Sequence, residues 1–230
     1  MSGKIMPIDL ERERKASMAR PRYHYSLIAR LFFLVMDLIA GKKTTLPKAK
    51  LIEMLAVIPY RAWENRQYAR TTRRYRDQDL VRKSRRILGW SREAQDNEYW
   101  HLLVIDEKMK GDEVRDPWYL SPVFTTPVVG SYRLFARVMA FFNPRRAYLF
   151  NAEFEDHAEH VYAAFVAEHP EWEAQPVRSA IVKEYADLST WADVFRRIGL
   201  DERDHMNASF RLCGRPESIV DYEGGPEIPT

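Results

Sequence analysis

Two Glu-x-x-His tetrads constrain this chain more than any other feature: Glu98-Tyr99-Trp100-His101 and Glu202-Arg203-Asp204-His205. On a helix, residues three apart share a face, so each tetrad can aim a carboxylate and an imidazole at one point. One such tetrad arises easily by chance; two on separate helices suggest a common centre. The rest of the sequence reads as helical. β-Branched residues are sparse, period-two alternation is hard to find, and apolar residues recur at spacings of three and four.

The apolar spacing predicts a helix over Leu27–Ala40, ended by Gly41 and the Lys42-Lys43 pair. A second helix is expected from about Ala49 towards Tyr75, kinked at Pro59. A third is expected from an N-cap at Ser91 to Lys110, with Gly111 after it. Pro122, Pro127 and Gly130 are expected to break the next stretch, with helix resuming from Ser131 to Phe142. After the Asn143-Pro144 turn signal, a long helix runs from about Arg145 to Glu168, and the last from Ser189 or Thr190 to Leu212. The expectation is one all-α domain over residues 1–230, with an N-terminal arm over 1–22 and an irregular tail over 216–230.

Composition excludes several classes. At 46% hydrophobic and 30% charged, the chain is not of the disordered type. Its one cysteine, Cys213, rules out an internal disulfide and a four-cysteine zinc site. Neither GxGxxG nor GxxxxGK[ST] occurs, which argues against a Rossmann or P-loop enzyme. The first twenty residues are charged and lack the apolar core of a signal peptide, and their acids argue against a mitochondrial presequence. No run of about 18 uncharged apolar residues exists, so a spanning helix is not expected. Charge is uneven. From Arg66 to Arg86, nine basic residues face only Asp77 and Asp79, a local +7 in a chain of net charge +3. Such a segment is either a solvated helix face or a surface for an anionic partner, nucleic acid or lipid.

A carboxylate-bridged metal pair in a helical bundle needs the two tetrads and one Glu from each of two further helices. Glu53 is a lone acid in the apolar run Leu51–Ile58, where an uncompensated buried carboxylate would be costly. Around residue 155 the choice stays open, because Glu153, Glu155, Asp156 and Glu159 lie close together. Four carboxylates with two imidazoles suit iron or manganese better than zinc or copper.

In these stretches the chain resembles the membrane-bound di-iron quinol oxidases, the mitochondrial alternative oxidases and plastid terminal oxidases. Leu51-Ile-Glu-Met-Leu-Ala-Val-Ile-Pro-Tyr60, Asn97-Glu-Tyr-Trp-His-Leu-Leu103, Glu155-Asp-His-Ala-Glu-His-Val-Tyr162 and Asp201-Glu-Arg-Asp-His205 carry the likeness, in family order, over roughly Ser26 to Cys213. The resemblance implies a ferritin-like four-helix bundle with a carboxylate-bridged di-iron centre. It selects Glu155 on the third helix, and so implies two iron ions on Glu53, Glu98, His101, Glu155, Glu202 and His205. It implies that Tyr162, two turns beyond Glu155, takes part in dioxygen reduction. Lys48, His157 and Val161 fall around the family's quinol pocket and depart from its usual residues, leaving the identity of the quinol open. His157 and His160 also form an HxxH pair.

Two apolar helices carry charge on one side only: Leu27–Ala40 with Arg30 and Asp37, and the stretch from Trp118 to Phe142 with Arg133 and Arg137. That pattern suits in-plane helices better than spanning ones, and the resemblance implies two additional amphipathic membrane-facing helices of a monotopic protein. Packing of both as buried core helices is the other reading. The implied activity is oxidation of ubiquinol or another quinol, with dioxygen reduced to water and no proton pumping. The expected partners are quinol, dioxygen and a membrane surface, without nucleic acid, in a homodimer on the cytoplasmic face of a bacterial inner membrane. The alternatives are a related di-iron oxygenase or desaturase, a ferritin-like iron-handling protein and a helical nucleic-acid module.

Overall fold

The computed structural model describes residues 8–226. Among them are eight α-helices and no strand: α1 (Leu10–Ala19), α2 (Leu27–Ala40), α3 (Leu46–Arg73), α4 (Gln78–Gly111), α5 (Pro122–Phe142), α6 (Pro144–Glu168), α7 (Ala180–Tyr185) and α8 (Trp191–Cys213). The most extensive packing joins α3 to α4 and α6 to α8. The chain therefore forms two long antiparallel helix pairs, which meet around a buried polar interior.

Local capping explains the boundaries. The side chains of Asp9, Ser26, Thr45, Asp77, Asn143, Ser179 and Thr190 each accept from a backbone N–H in the first turn of their helix. Gly214 ends α8 in the left-handed conformation, φ +84°. Pro59 lies inside α3, which continues past it.

Two sequence expectations are corrected. Helix α4 starts at Gln78 rather than at Ser91; the Ser91 hydroxyl donates to the Ile87 carbonyl (2.8 Å), a back-bond that lets serine sit mid-helix. Helix α5 starts at Pro122 and runs through Pro127 and Gly130. Pro122 stands in the first turn, where its missing N–H has no intrahelical partner, and Pro127 follows within two turns, so the helix gives up little bonding. The N-terminal arm contains a helix, α1, that packs on α6 and α8. Residues 1–7 and 227–230 of the expected arm and tail lie outside the described residues. Over 216–226 the tail holds one short 3-10 turn.

Ionic rather than apolar contacts fasten α1. The buried Arg203 guanidinium donates to Glu13 Oε2 (2.7 Å) and Glu159 Oε1 (2.9 Å), while Arg20 donates to Asp156 (2.6 Å) and Glu159 (2.6 Å). Helices α2 and α5 pack on the same apolar cluster as α3 and α6, yet both leave large apolar side chains in the open. Leu27, Leu31, Leu34 and Leu38 on α2, and Val123, Leu134, Phe141 and Phe142 on α5, are each more than half exposed. No helix of the described residues is long and apolar enough to cross a membrane.

Candidate metal centre

All six residues of the expected ligand set come together between the two helix pairs. Glu53 (α3), Glu98 and His101 (α4), and Glu202 (α8) offer donor atoms within 4.8 Å of one another; Glu98, Glu155 (α6), Glu202 and His205 (α8) form a second such group. Glu98 and Glu202 belong to both. Each group takes most of its donors from one helix pair and draws at least one across from the other. All six side chains are buried.

The donor atoms of the cluster leave much of their bonding capacity unmet. Glu53 Oε2, both oxygens of Glu98 and Glu202, Glu155 Oε2, and Nδ1 of His101 and His205 are buried without a hydrogen-bond partner. Orphaned groups of this kind are rare in folded proteins. His101 Nδ1 lies 3.3–3.5 Å from Glu202, Glu98 and Glu53, and His205 Nδ1 lies 2.8 Å from Glu98. One divalent cation per group would satisfy the whole set, and carboxylate with imidazole is a donor set suited to iron or manganese.

Charge in the metal-free protein is poorly compensated. Burial, then repulsion from Glu202, pushes the Glu53 carboxyl well above the ordinary range. Burial, then repulsion from Glu98 and Glu202, does the same to Glu155. Burial would also raise Glu98, but the His205 and His101 rings beside it outweigh that and hold it low. For His205, burial favours the neutral ring; Glu98 and Glu202 outweigh it and raise the pKa well above the usual value. Burial and mutual repulsion thus favour the protonated forms of Glu53 and Glu155.

Each outer carboxylate is anchored by one oxygen and free at the other. Tyr60 donates to Glu155 Oε1 (2.6 Å), joined by Asn151 (2.9 Å); Tyr162 donates to Glu53 Oε1. The arrangement is crossed: each tyrosine stands seven residues after the glutamate of its own helix and bonds the glutamate of the other. Burial raises both phenol pKa values, with Glu155 adding to it at Tyr60 and Glu53 at Tyr162. A Cβ on Gly199 would stand 3.3 Å from Tyr162 Cβ, so glycine there lets α8 close onto this tyrosine.

Behind His101 sits Asp201, which accepts from His101 Nε2 (3.2 Å), Asn97 (3.3 Å), Tyr185 and Arg197. Burial would raise its pKa, but the His101 hydrogen bond and the Arg197 charge outweigh it. An anionic Asp201 keeps the proton on Nε2 and the Nδ1 lone pair aimed at the centre, the arrangement common behind metal-bound histidines. A cavity of about 440 Å3, walled by Glu93, Asn97, Asp201, Asp204 and Tyr222, reaches His205 from outside.

The acids beside Glu155 are committed elsewhere. Glu153 accepts from Ser26 N and Oγ, Asp156 from Arg20, Tyr23 and Tyr25, and Glu159 from Ser17, Arg20 and Arg203. Lys48, His157 and Val161 lie outside the cluster. Lys48 Nζ donates to Asp37 (2.6 Å) and the Gly41 carbonyl (2.7 Å). His157 stacks on Phe33 at 4.0 Å, and burial, then the Arg22 and Lys48 charges, pushes its pKa down to about 4. Val161 is half-buried. Both ring nitrogens of His160 face main-chain carbonyls, of Asp156 (2.7 Å) and Arg20 (2.9 Å), which leaves none for a metal shared with His157. Tyr60, Asn151, Tyr185 and Asp201 were not singled out from sequence. Only Tyr60 carried a signal, the Glu-x6-Tyr spacing that Glu53–Tyr60 shares with Glu155–Tyr162.

Compared with known protein families and with curated proteins, the chain matches none.

Proposed function

We propose that this chain is a di-iron oxidase of the alternative-oxidase kind, a ferritin-like four-helix bundle of α3, α4, α6 and α8 that oxidises quinol and reduces dioxygen to water. The observation that carries the reading is the convergence of four buried carboxylates and two imidazole Nδ1 atoms with unmet bonding capacity. Two metal positions sharing Glu98 and Glu202 use every orphaned atom of the six side chains.

Two iron ions, when bound, would supply the electron transfer to dioxygen that no side chain here can perform. The protein's part is positional. Asp201 fixes the ring of His101, and Tyr60 and Tyr162 fix one oxygen each of Glu155 and Glu53. The Tyr162 phenol, bonded to Glu53 and closed off by Gly199, can hold or pass a proton beside the centre without admitting bulk water. The exposed apolar rows of α2 and α5 support the membrane part of the reading. An in-plane apolar face of this extent suits a protein that draws a lipid-dissolved donor from the bilayer surface.

The test is oxygen consumption by iron-loaded protein in liposomes with short-chain ubiquinol as donor, beside Glu98→Ala, with iron per chain measured on both. Cyanide-resistant uptake that disappears in the variant is the expected result. Two irons per chain with no quinol-dependent uptake would refute the quinol oxidase and favour a related oxygenase or desaturase.

A further inference from the structure

The basic segment at the α3–α4 junction does not serve the metal centre. Part of it is exposed and paired: Arg74 binds Asp77, Arg82 binds Asp79 and, further along α4, Arg92 binds Glu64. Another part, half-buried at Arg66 and Arg70 and exposed at Lys83, joins the exposed Arg145 and Arg211 around a concave site. Arg66 and Arg70 near the end of α3, Lys83 on α4, Arg145 on α6 and Arg211 on α8 line one cavity of about 380 Å3, and no acid lines it. Arg70 donates to Gln67 (3.1 Å); none of the five is paired with an acid of the described residues. Ile87, Tyr148 and Leu212 form its apolar wall.

Five cations drawn from four helices into one concavity repel one another. At Arg66, burial and then the charge of Arg70 push the pKa down. A solvated basic face would spread its charges or pair them, as Arg74 and Arg82 do. Guanidinium groups converging from several directions match the geometry of a phosphate, which accepts bidentate bonds on each face. The cavity also adjoins the apolar face. Phe141 and Phe142 are exposed at the end of α5, two residues before Pro144 and Arg145 enter the cavity wall.

We propose that this cavity is a binding site for an anionic phosphate group, either a phospholipid headgroup reached from the adjoining apolar face or a soluble phosphorylated compound. The inference does not depend on the metal centre, and its readouts do not use it.

Two probes separate the sources: phosphatidylcholine vesicles with and without phosphatidylglycerol, by co-sedimentation, and inorganic pyrophosphate, by calorimetry. The test variant is Arg70→Gln/Arg145→Gln. The control is Arg85→Gln/Arg86→Gln, an equal loss of charge on the same basic segment but outside the cavity. The expected result is a loss of about fivefold in affinity per cavity charge removed, with the control close to wild type and thermal melting unchanged. Loss confined to phosphatidylglycerol vesicles identifies a lipid headgroup; loss of pyrophosphate binding identifies a soluble phosphate. If the first variant does not fold, Lys83→Gln/Arg211→Gln replaces it. Equal losses in test and control variants, or wild-type protein that binds neither probe, would overturn the proposal.

Discussion

Replacing Glu53 with glutamine should move stability in opposite directions with and without metal. In the metal-free protein, Glu53 Oε2 has no partner, and the carboxyl is raised by burial and by the charges of Glu202 and Glu98. Glu53→Gln removes the ionisable group and keeps a carbonyl oxygen for Tyr162. Relief of a buried polar group with unmet bonding is worth about 1–3 kcal/mol. For a chain of this size that is a rise in Tm of about 2–12 °C. The sign depends on pH. Because the folded pKa lies above the unfolded value near 4.5, wild type suffers no penalty below that value, and the penalty grows as pH rises towards the folded pKa. The gain of the variant should therefore be absent in acid and largest in mild alkali. With manganese added, the order should reverse, since a neutral amide is the poorer ligand. Reversal needs an affinity loss that outweighs the metal-free gain, and a gain of about 1–3 kcal/mol corresponds to a loss of about 5–160-fold. Calorimetric melts across the pH range, with chelator and with manganese, read both halves. A variant less stable than wild type in chelator at every pH, or equal stabilisation of both proteins by manganese, would refute the reasoning.

Other consequences are as direct. Metal loading at neutral pH should release protons from Glu53, Glu155 and the imidazoles, all held high without metal; weakly buffered titration with a pH electrode should show acidification, and affinity should fall as pH is lowered. Because the imidazole pKa values are raised, their stabilising protonation is complete below about 6.5 and is lost as pH rises through the folded values, so the Tm gap between loaded and metal-free protein should widen with pH. Asp201→Asn removes the anion behind His101 and should cost about 10–100-fold in metal affinity, read by competition with a chromophoric chelator. Leu31→Glu with Phe141→Glu should lower binding to vesicles by more than tenfold while leaving the Tm within about 2 °C.

The residues of the centre were legible because helix geometry fixes them locally. A Glu three residues from a His shares its face whatever the tertiary structure does, and Glu53 stood out as a charge that nothing nearby could balance. Glu155 was not legible from spacing, since Glu153, Asp156 and Glu159 look alike along the chain. What separates them is long-range: those three are bonded by α1 and the segment from Arg20 to Ser26, more than a hundred residues away in sequence. Helix α1 escaped notice for the same reason, as its anchors are ion pairs to Arg203, Asp156 and Glu159 rather than an apolar stripe. The early start of α4 was hidden because its first turns are basic and solvent-facing, so apolar periodicity begins only later. Asp201 and Tyr185 gain their meaning from His101, which no local pattern connects to them.

The sharing of Glu98 and Glu202 has a kinetic consequence. Neither donor group is complete within one helix pair: the group around His101 borrows Glu202 from α8, and the group around His205 borrows Glu98 from α4. A chain in which α3–α4 and α6–α8 have formed but not yet docked holds no finished cage for an ion. Bound metal therefore cannot act as a seed for either hairpin. A metal held there would act as a latch fastened after the halves meet, and its influence would fall on how slowly the finished fold comes apart rather than on how quickly it assembles. Such a protein would be long-lived when loaded, while a freshly made, unloaded copy stays quick to reopen and take up ions.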